Sequence, residues 1–206
     1  ELELVRGMDL KTLCDRLRER AQKHPPRYPG QERGVLPPLV VTSVGMQTCE
    51  GLAYAHTCRD HDGDVSGVLH RDISNDNLMA TLEGEVKIND WGISKGLKGD
   101  KNILSKTNHA YGKLLYAPPE QLGGREIDAR ADLYALGISL FKLLAGRHPY
   151  DNPAQPEENP LAKIARAATK DGRPPMSVLL SDAPPGLHEI LERMIQPERD
   201  DRPASA

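Results

Sequence analysis

The residues best suited to chemistry lie in Val68-Leu69-His70-Arg71-Asp72-Ile73-Ser74-Asn75-Asp76-Asn77-Leu78-Met79 and in Val86-Lys87-Ile88-Asn89-Asp90-Trp91-Gly92 just beyond it. A carboxylate, Asp72, is followed by an amide, Asn77, and then by a second carboxylate, Asp90. Carboxylate and amide oxygens are hard donors, and Mg²⁺ commonly takes one or two of them and completes its shell with phosphate oxygens. A carboxylate beside such an ion can accept the proton of an attacking hydroxyl. The set predicts magnesium-dependent phosphoryl transfer from a nucleotide, with Asp72 as base and Asn77 and Asp90 as metal ligands. The plainer alternative is a surface turn rich in Asp and Asn. Two separate groups in the right order argue against it.

Positioning these groups falls to a few elements. Leu78-Met79-Ala80-Thr81 and Val86-Lys87-Ile88 flank Glu83-Gly84 and predict a β-hairpin that sets the separation of Asn77 and Asp90. Residues 129–146 carry the strongest helical signal: Leu133, Leu136, Leu140, Leu143 and Leu144 recur at helical spacing, with Gly146 as the stop. Ile138 and Phe141 make other faces apolar too, and a helix apolar on most faces is buried. Asp132 within it is then a buried charge that needs partners. Leu10, Leu13, Cys14 and Leu17 predict a second helix, capped by Asp9 and preceded by a strand end and a turn at Gly7. Val41, Val44, Leu52 and Ala55 mark a third. Between these two, Arg20 to Pro38 holds five prolines and two glycines and reads as a loop. Residues 93–111 read as a polar, mobile loop, and two helical stretches are expected near the end, at 161–169 and 186–195. Asp60, Asp62 and Asp64 alternate as in a calcium loop, but Val65 and Arg71 stand where Gly and Glu are needed, so the segment reads as a solvated turn.

The chain has 206 residues and a net charge of -3, enough for one domain with a real core and no general attraction to nucleic acid or membrane surfaces. Cys14, Cys49 and Cys58 form no C-x-x-C pair, and so sparse a set predicts a reducing, cytoplasmic setting without a disulfide frame. No apolar run approaches the ~18 residues of a membrane span. Because the first residue is Glu1 rather than Met, the true N-terminus is expected upstream, and a membrane tether elsewhere in a longer protein stays open.

His70-Arg71-Asp72 with Asn77, then Asp90-Trp91-Gly92, then Gly112 through Glu120 and finally Asp201-Arg202-Pro203 resemble the protein kinase superfamily, closest to bacterial eukaryotic-like Ser/Thr protein kinases. The likeness runs over nearly the whole chain. It implies an α+β fold: a mostly helical C-terminal kinase lobe over residues 1–206, with a small catalytic hairpin and an N-terminal lobe upstream. It implies ATP and Mg²⁺ as cofactors, and transfer to Ser or Thr hydroxyls of a protein substrate, with no nucleic-acid partner. By the same likeness, the backbone at Glu3 and Val5 meets adenine, Asp9 meets ribose, and Met79 lies under the adenine ring while also packing. Asp132 accepts hydrogen bonds from the backbone of the His70-Arg71-Asp72 loop, and Glu120 pairs with Arg202. Ser105 and Thr107, in a polar loop, become candidate phosphorylation sites, with Arg71 beside the catalytic Asp as the kind of cation against which a phosphate orders a loop.

Three departures from the family pattern matter. The Gly-rich loop, the strand Lys and its Glu partner are not in this chain, so the stretch alone is expected not to turn over ATP. Trp91 stands where Phe is usual, which packing tolerates. Ser74 stands where the catalytic loop usually has Lys, while Lys113 follows Gly112 where Thr is usual. A neutral Ser hydrogen bond contributes only about 0.5–1.5 kcal/mol. A cation ~4 Å from a phosphoryl oxygen gains up to about 4 kcal/mol at an effective dielectric of ~20. The exchange predicts that Lys113 reaches Asp72 and the transferring phosphoryl group, with Ser74 hydrogen-bonding the same cluster. Asp72, Ser74 and Lys113 thus form the expected catalytic set. Two alternatives stay open. One is a pseudokinase or docking module without turnover. The other is a small-molecule phosphotransferase of the aminoglycoside-kinase kind, which shares the Asp and Asn but normally lacks the Pro118-Pro119-Glu120 region.

Overall fold

A computed structural model of the chain describes residues 5–59, 67–91, 112–155 and 158–206. In chain order these form β1 (Gly7–Asp9), α1 (Leu10–Lys23), a 3-10 turn (Gln31–Arg33), α2 (Pro38–Thr57), β2 (Leu78–Thr81) and β3 (Val86–Ile88). They continue with α3 (Pro119–Leu122), α4 (Arg130–Ala145), α5 (Pro160–Ala167), α6 (Met176–Leu179), α7 (Pro185–Met194) and a 3-10 turn (Arg199–Asp201). The fold is α+β as expected, mostly helical with a small antiparallel sheet.

The centre of the packing is α4. Leu133, Leu136, Ile138, Phe141 and Leu143 are all buried, although they point to different sides of the helix. Gly146 ends it with φ 68°, a left-handed conformation that glycine adopts without a Cβ penalty, and donates its N–H back to Lys142 O. The second long helix, α2, lies against α4 through Val41, Val44, Leu52 and Ala55, the four positions read from the sequence. Its Gln47 side chain also accepts a hydrogen bond from Val86 N at 2.9 Å, pinning β3 to the helix. Helix α1 buries Leu10 and Cys14 and begins where Asp9 accepts from Thr12 N at 2.7 Å. Burial pushes the Cys14 thiol up to about 11, so it behaves as a small apolar side chain.

Three sequence expectations need correction. Gly7 lies in β1, not in a turn, pairing with Thr81. A Cβ there would come within 2.1 Å of Ala80 O, so close strand approach is what requires the glycine. The loop expected from Arg20 starts later, because α1 runs on to Lys23, and it contains a 3-10 turn. The short helix α6 has no counterpart among the expected elements; Pro175 precedes it, and its Met176 is fully buried. Glu3, the turn at residues 60–64, and residues 93–111 with Ser105 and Thr107 lie outside the described residues.

Candidate active site

The sheet order is β1-β2-β3, with Asp9 opposite Met79 and Met79 opposite Lys87. Directly paired residues point to the same side of a sheet. Leu78, Ala80, Val86 and Ile88 therefore face the helical core, and all four belong to or pack against it. Asp9, Met79 and Lys87 share the other face. The register thus places two of the residues expected at the nucleotide, Asp9 and Met79, side by side. Val5, half-buried, leads into this strand.

The loop before β2 is held by Asp132. Its Oδ2 accepts from His70 N at 2.9 Å and its Oδ1 from Arg71 N at 2.7 Å. Both donors belong to backbone that needs fixing, since Arg71 has φ 64°, an unfavourable conformation for a residue with a side chain. A third partner is one that sequence reasoning missed: His56 Nε2, from α2, lies 2.8 Å from Asp132 Oδ2. The signal available was a histidine four residues after Leu52, on the edge of the buried stripe of α2. Gln121 adds a further tie, donating to Arg71 O at 3.2 Å.

His70 is the clamp inside the loop. Its Nε2–H donates to Asn89 O at 2.9 Å, and its Nδ1 accepts from Asp72 N at 3.3 Å, which together fix one tautomer. The Trp91 ring meets the imidazole edge-on, with centroids 4.9 Å apart, and donates from Nε1 to Ile88 O. Trp91 packs against the core, as the sequence reading required of it. Asn89 N donates to Asn77 O at 2.8 Å. Asn89 is thus gripped from both sides, which fixes the backbone leading into Asp90. Asp90 is exposed, with φ 57°, a conformation that Asp tolerates better than most residues.

Asp72, Asn77 and Lys113 converge. Asn77 Nδ2 donates to Asp72 O at 2.7 Å and to its Oδ2 at 3.3 Å. Lys113 Nζ lies 2.5 Å from Asp72 Oδ2. With Nδ2 turned to Asp72, Oδ1 is the Asn77 atom left for a cation. An amide oxygen from Asn77 and the open carboxylate of Asp90 suit Mg²⁺ in kind, and a magnesium site shared with phosphates needs no third protein ligand. Ser74 departs from expectation. It is buried beside this cluster, but its Oγ makes no hydrogen bond. The expected Ser74 bond to the Asp72–Lys113 pair is not formed; Asp72 Oδ2 receives Lys113 and Asn77 instead.

Away from the cluster, Arg202 donates twice to Glu120, at 2.6 and 2.9 Å, and stacks 4.8 Å above the Tyr134 ring. This is the pair expected from the sequence, and it ties α3 to the chain's end.

The protein kinase domain family matches residues 2–206. The tyrosine-protein kinase MasK of Myxococcus xanthus is 35% identical over 85% of this chain and 26% of its own length. A probable serine/threonine-protein kinase PknB of Corynebacterium glutamicum is 30% identical over 81% of this chain and 24% of its own length. The crystal structure of a point mutant of the Mycobacterium tuberculosis PknI kinase domain superposes with a TM-score of 0.59 and 24% identity, covering 98% of this chain and 59% of that one. The chain spans about a quarter of the length of the curated relatives it matches.

Proposed function

The chain belongs to the protein kinase family, and we propose that it is the C-terminal lobe of a kinase domain that transfers the γ-phosphoryl group of ATP to Ser or Thr hydroxyls of a protein substrate. The observation that carries this reading is the convergence of Asn77 Nδ2 and Lys113 Nζ on Asp72 Oδ2, with the backbone leading into Asp90 pinned to Asn77 through Asn89.

In this reading Asp72 accepts the proton of the substrate hydroxyl as it attacks. Asn77 aims that carboxylate by donating to it, and Lys113 fixes its rotamer from the other side. Lys113 also brings a positive charge next to the path of the phosphoryl group, where charge in the transition state is stabilised. Ser74, being buried and without a hydrogen bond, shapes the loop and leaves the charge to Lys113. Mg²⁺, when bound, neutralises charge on the phosphates; Asn77 Oδ1 and the Asp90 carboxylate are the atoms of this chain that would hold it. The outer face of the sheet, with Asp9 and Met79, forms the floor for the nucleoside, and the backbone at Val5, just before β1, meets the adenine. Glu3, which the family likeness also assigns to the adenine, lies outside the described residues.

The test is a double-mutant cycle in the full-length protein, reading phosphate transfer from Mg²⁺-ATP to protein or peptide substrates. Lys113→Thr lowers kcat by about 10–10³-fold, the rate equivalent of a charge contact worth up to ~4 kcal/mol. Adding Ser74→Lys restores much of the loss. Near-normal turnover in Lys113→Thr, or strictly additive losses, would remove Lys113 from the chemistry. Because MasK is a tyrosine-protein kinase, phosphoamino-acid analysis of the product belongs in the same experiment. Phosphoserine or phosphothreonine is expected; phosphotyrosine would reassign the acceptor.

A further inference from the structure

A cavity of about 350 Å³ opens beside the Asp72–Lys113 pair, walled by α1, the catalytic loop, the segment around Tyr116 and the end of α4. Four basic side chains line it, Lys11, Arg18, Lys113 and Lys142, against two carboxylates, Asp15 and Asp76. Three of the cations are already matched. Lys11 lies 2.9 Å from Asp76, Arg18 pairs with Asp15, and Lys113 pairs with Asp72.

Lys142 is the exception. Its Nζ lies 2.5 Å from the Tyr116 hydroxyl and 4.3 Å from the centre of that ring, and among the described residues no carboxylate reaches it. A half-buried ammonium held by a phenol and a ring face is poorly compensated. Burial lowers the Lys142 pKa even though the charges of Asp76 and Asp151 act to raise it, and burial raises that of Tyr116, so these more distant carboxylates offset the loss of water only in part. Asn75, also in the wall and 5% exposed, leaves its Oδ1 without a hydrogen bond. The rim is more open: the Lys113 and Asp76 side chains are each 35% exposed.

We infer that this cavity is a specificity pocket for the protein substrate, and that Lys142 selects an anionic side chain close to the phosphoacceptor. The inference rests on the kinase reading proposed above. Lys113 belongs both to the cavity wall and to the Asp72 pair, so a chain presenting its hydroxyl to Asp72 passes the mouth. Each extended residue advances ~3.3–3.6 Å, so the three positions on either side of the acceptor sweep about 10 Å from Asp72 and are the ones to vary. An aspartate, a glutamate or an already phosphorylated residue supplies the missing negative charge. A substrate lysine or arginine there meets Lys142 as a like charge.

The experiment uses the full-length protein and a Ser-centred peptide series. Each of the three positions on either side of the acceptor is varied in turn as Glu, phosphoserine, Ala or Lys. Glu at one of these positions raises kcat/KM about tenfold over Ala, the equivalent of one partly buried charged hydrogen bond. Lys there lowers it. Phosphoserine exceeding Glu identifies a doubly charged ligand, and the reverse order identifies a carboxylate. Lys142→Met levels Glu and Ala, and Lys142→Glu inverts the order to favour Lys. Fluorescence anisotropy of the same peptides on the unaltered protein reads the pocket without turnover or substitution. Equal kcat/KM and equal affinity for the Glu, phosphoserine, Ala and Lys peptides would overturn the pocket and leave the kinase reading standing. Tighter Glu binding with no phosphate transfer to any peptide would keep the pocket and sink the kinase reading.

Discussion

Asp132 and Asp72 are both aspartates tied to the catalytic loop, yet their surroundings are opposite. Asp132 is 1% exposed and receives three hydrogen bonds, two from backbone and one from His56. Asp72 has a side chain 15% exposed and sits against a lysine that is itself half open to solvent. The Glu120–Arg202 pair belongs with Asp132, since both partners are buried and Arg202 also donates to the carbonyls of Gln196 and Pro197. Asp90 belongs with Asp72, being exposed on strained backbone. A charge fully buried and fully partnered holds the loop's shape. A charge at the mouth of the site keeps capacity for a substrate or an ion. Sequence alone gives both groups the same letters.

The sharpest way to break this division is to remove one charge from each group. Asp90→Ala in the full-length protein abolishes measurable transfer, and Asp72→Asn lowers kcat about 10²–10⁴-fold, the usual worth of a general base. Neither moves the thermal midpoint appreciably, because neither side chain is part of the frame. Asp132→Ala does the reverse first: it lowers stability by about 3–5 kcal/mol, as breaking a buried charged contact does. Glu120→Ala falls in the same range by stranding Arg202. Chemical denaturation alongside a transfer assay separates the two classes. A destabilised Asp72→Asn, or an unaffected Asp132→Ala, would dissolve the distinction.

This division also marks how far the sequence could be read. The hairpin was legible to the residue, because alternation and Glu83-Gly84 left one reading for residues 78–88. Helix α4 was legible because its leucines recur and Gly146 stops it. The partnering of Asp132 by the loop backbone came from family likeness, and the distances agree. His56 was not legible as the third partner, because that contact joins residues far apart in the chain through tertiary packing. Strand β1 lies later than the strand end expected ahead of Gly7, for a related reason: three residues beginning with Gly7 have no strand pattern of their own, and the strand exists through pairing with β2. Ser74 shows the limit of reasoning from residue type. A hydroxyl at the right place in a motif makes no bond, while the amide of Asn77 and the ammonium of Lys113 both reach the carboxylate.

A middle-sized effect comes from His148, which belongs to the frame although it can titrate. Its Nε2–H donates to Leu115 O at 2.9 Å, its Nδ1 accepts from Tyr150 N, and burial lowers its pKa to about 4. Leu115 lies in the segment that carries Lys113, so the histidine anchors one wall of the site. A histidine held neutral when folded and charged when unfolded contributes most above its unfolded pKa of ~6.5. That contribution fades as pH falls, approaching a loss of roughly 3 kcal/mol by pH 4. Asp151 and Glu192, whose pKa values are lowered despite burial by Lys163 and Arg173 respectively, add losses at lower pH still. Denaturant midpoints between pH 7 and 4 should show this slope, and His148→Asn should flatten it. An unchanged slope in His148→Asn would place the titration elsewhere.

The smallest effect tests a residue that sits on the boundary, Asp9. Its two carboxylate oxygens accept from Thr12 N and Thr12 Oγ1, both at 2.7 Å, so it caps α1 as frame. It also lies opposite Met79 on the outer face of the sheet, where a ribose would rest. The two roles are compatible, since a carboxylate offers about four acceptor positions and the cap uses two. Asp9→Ala costs about 1 kcal/mol through loss of the cap. Asp9→Ser keeps a capping oxygen and returns most of that stability. If Asp9 also receives a ribose hydroxyl, both variants raise the KM for ATP by about tenfold, the loss of one charge-assisted hydrogen bond. Serine rescues the melting curve but not the KM, and that separation is the expected result. A serine variant normal in both would confine Asp9 to the frame.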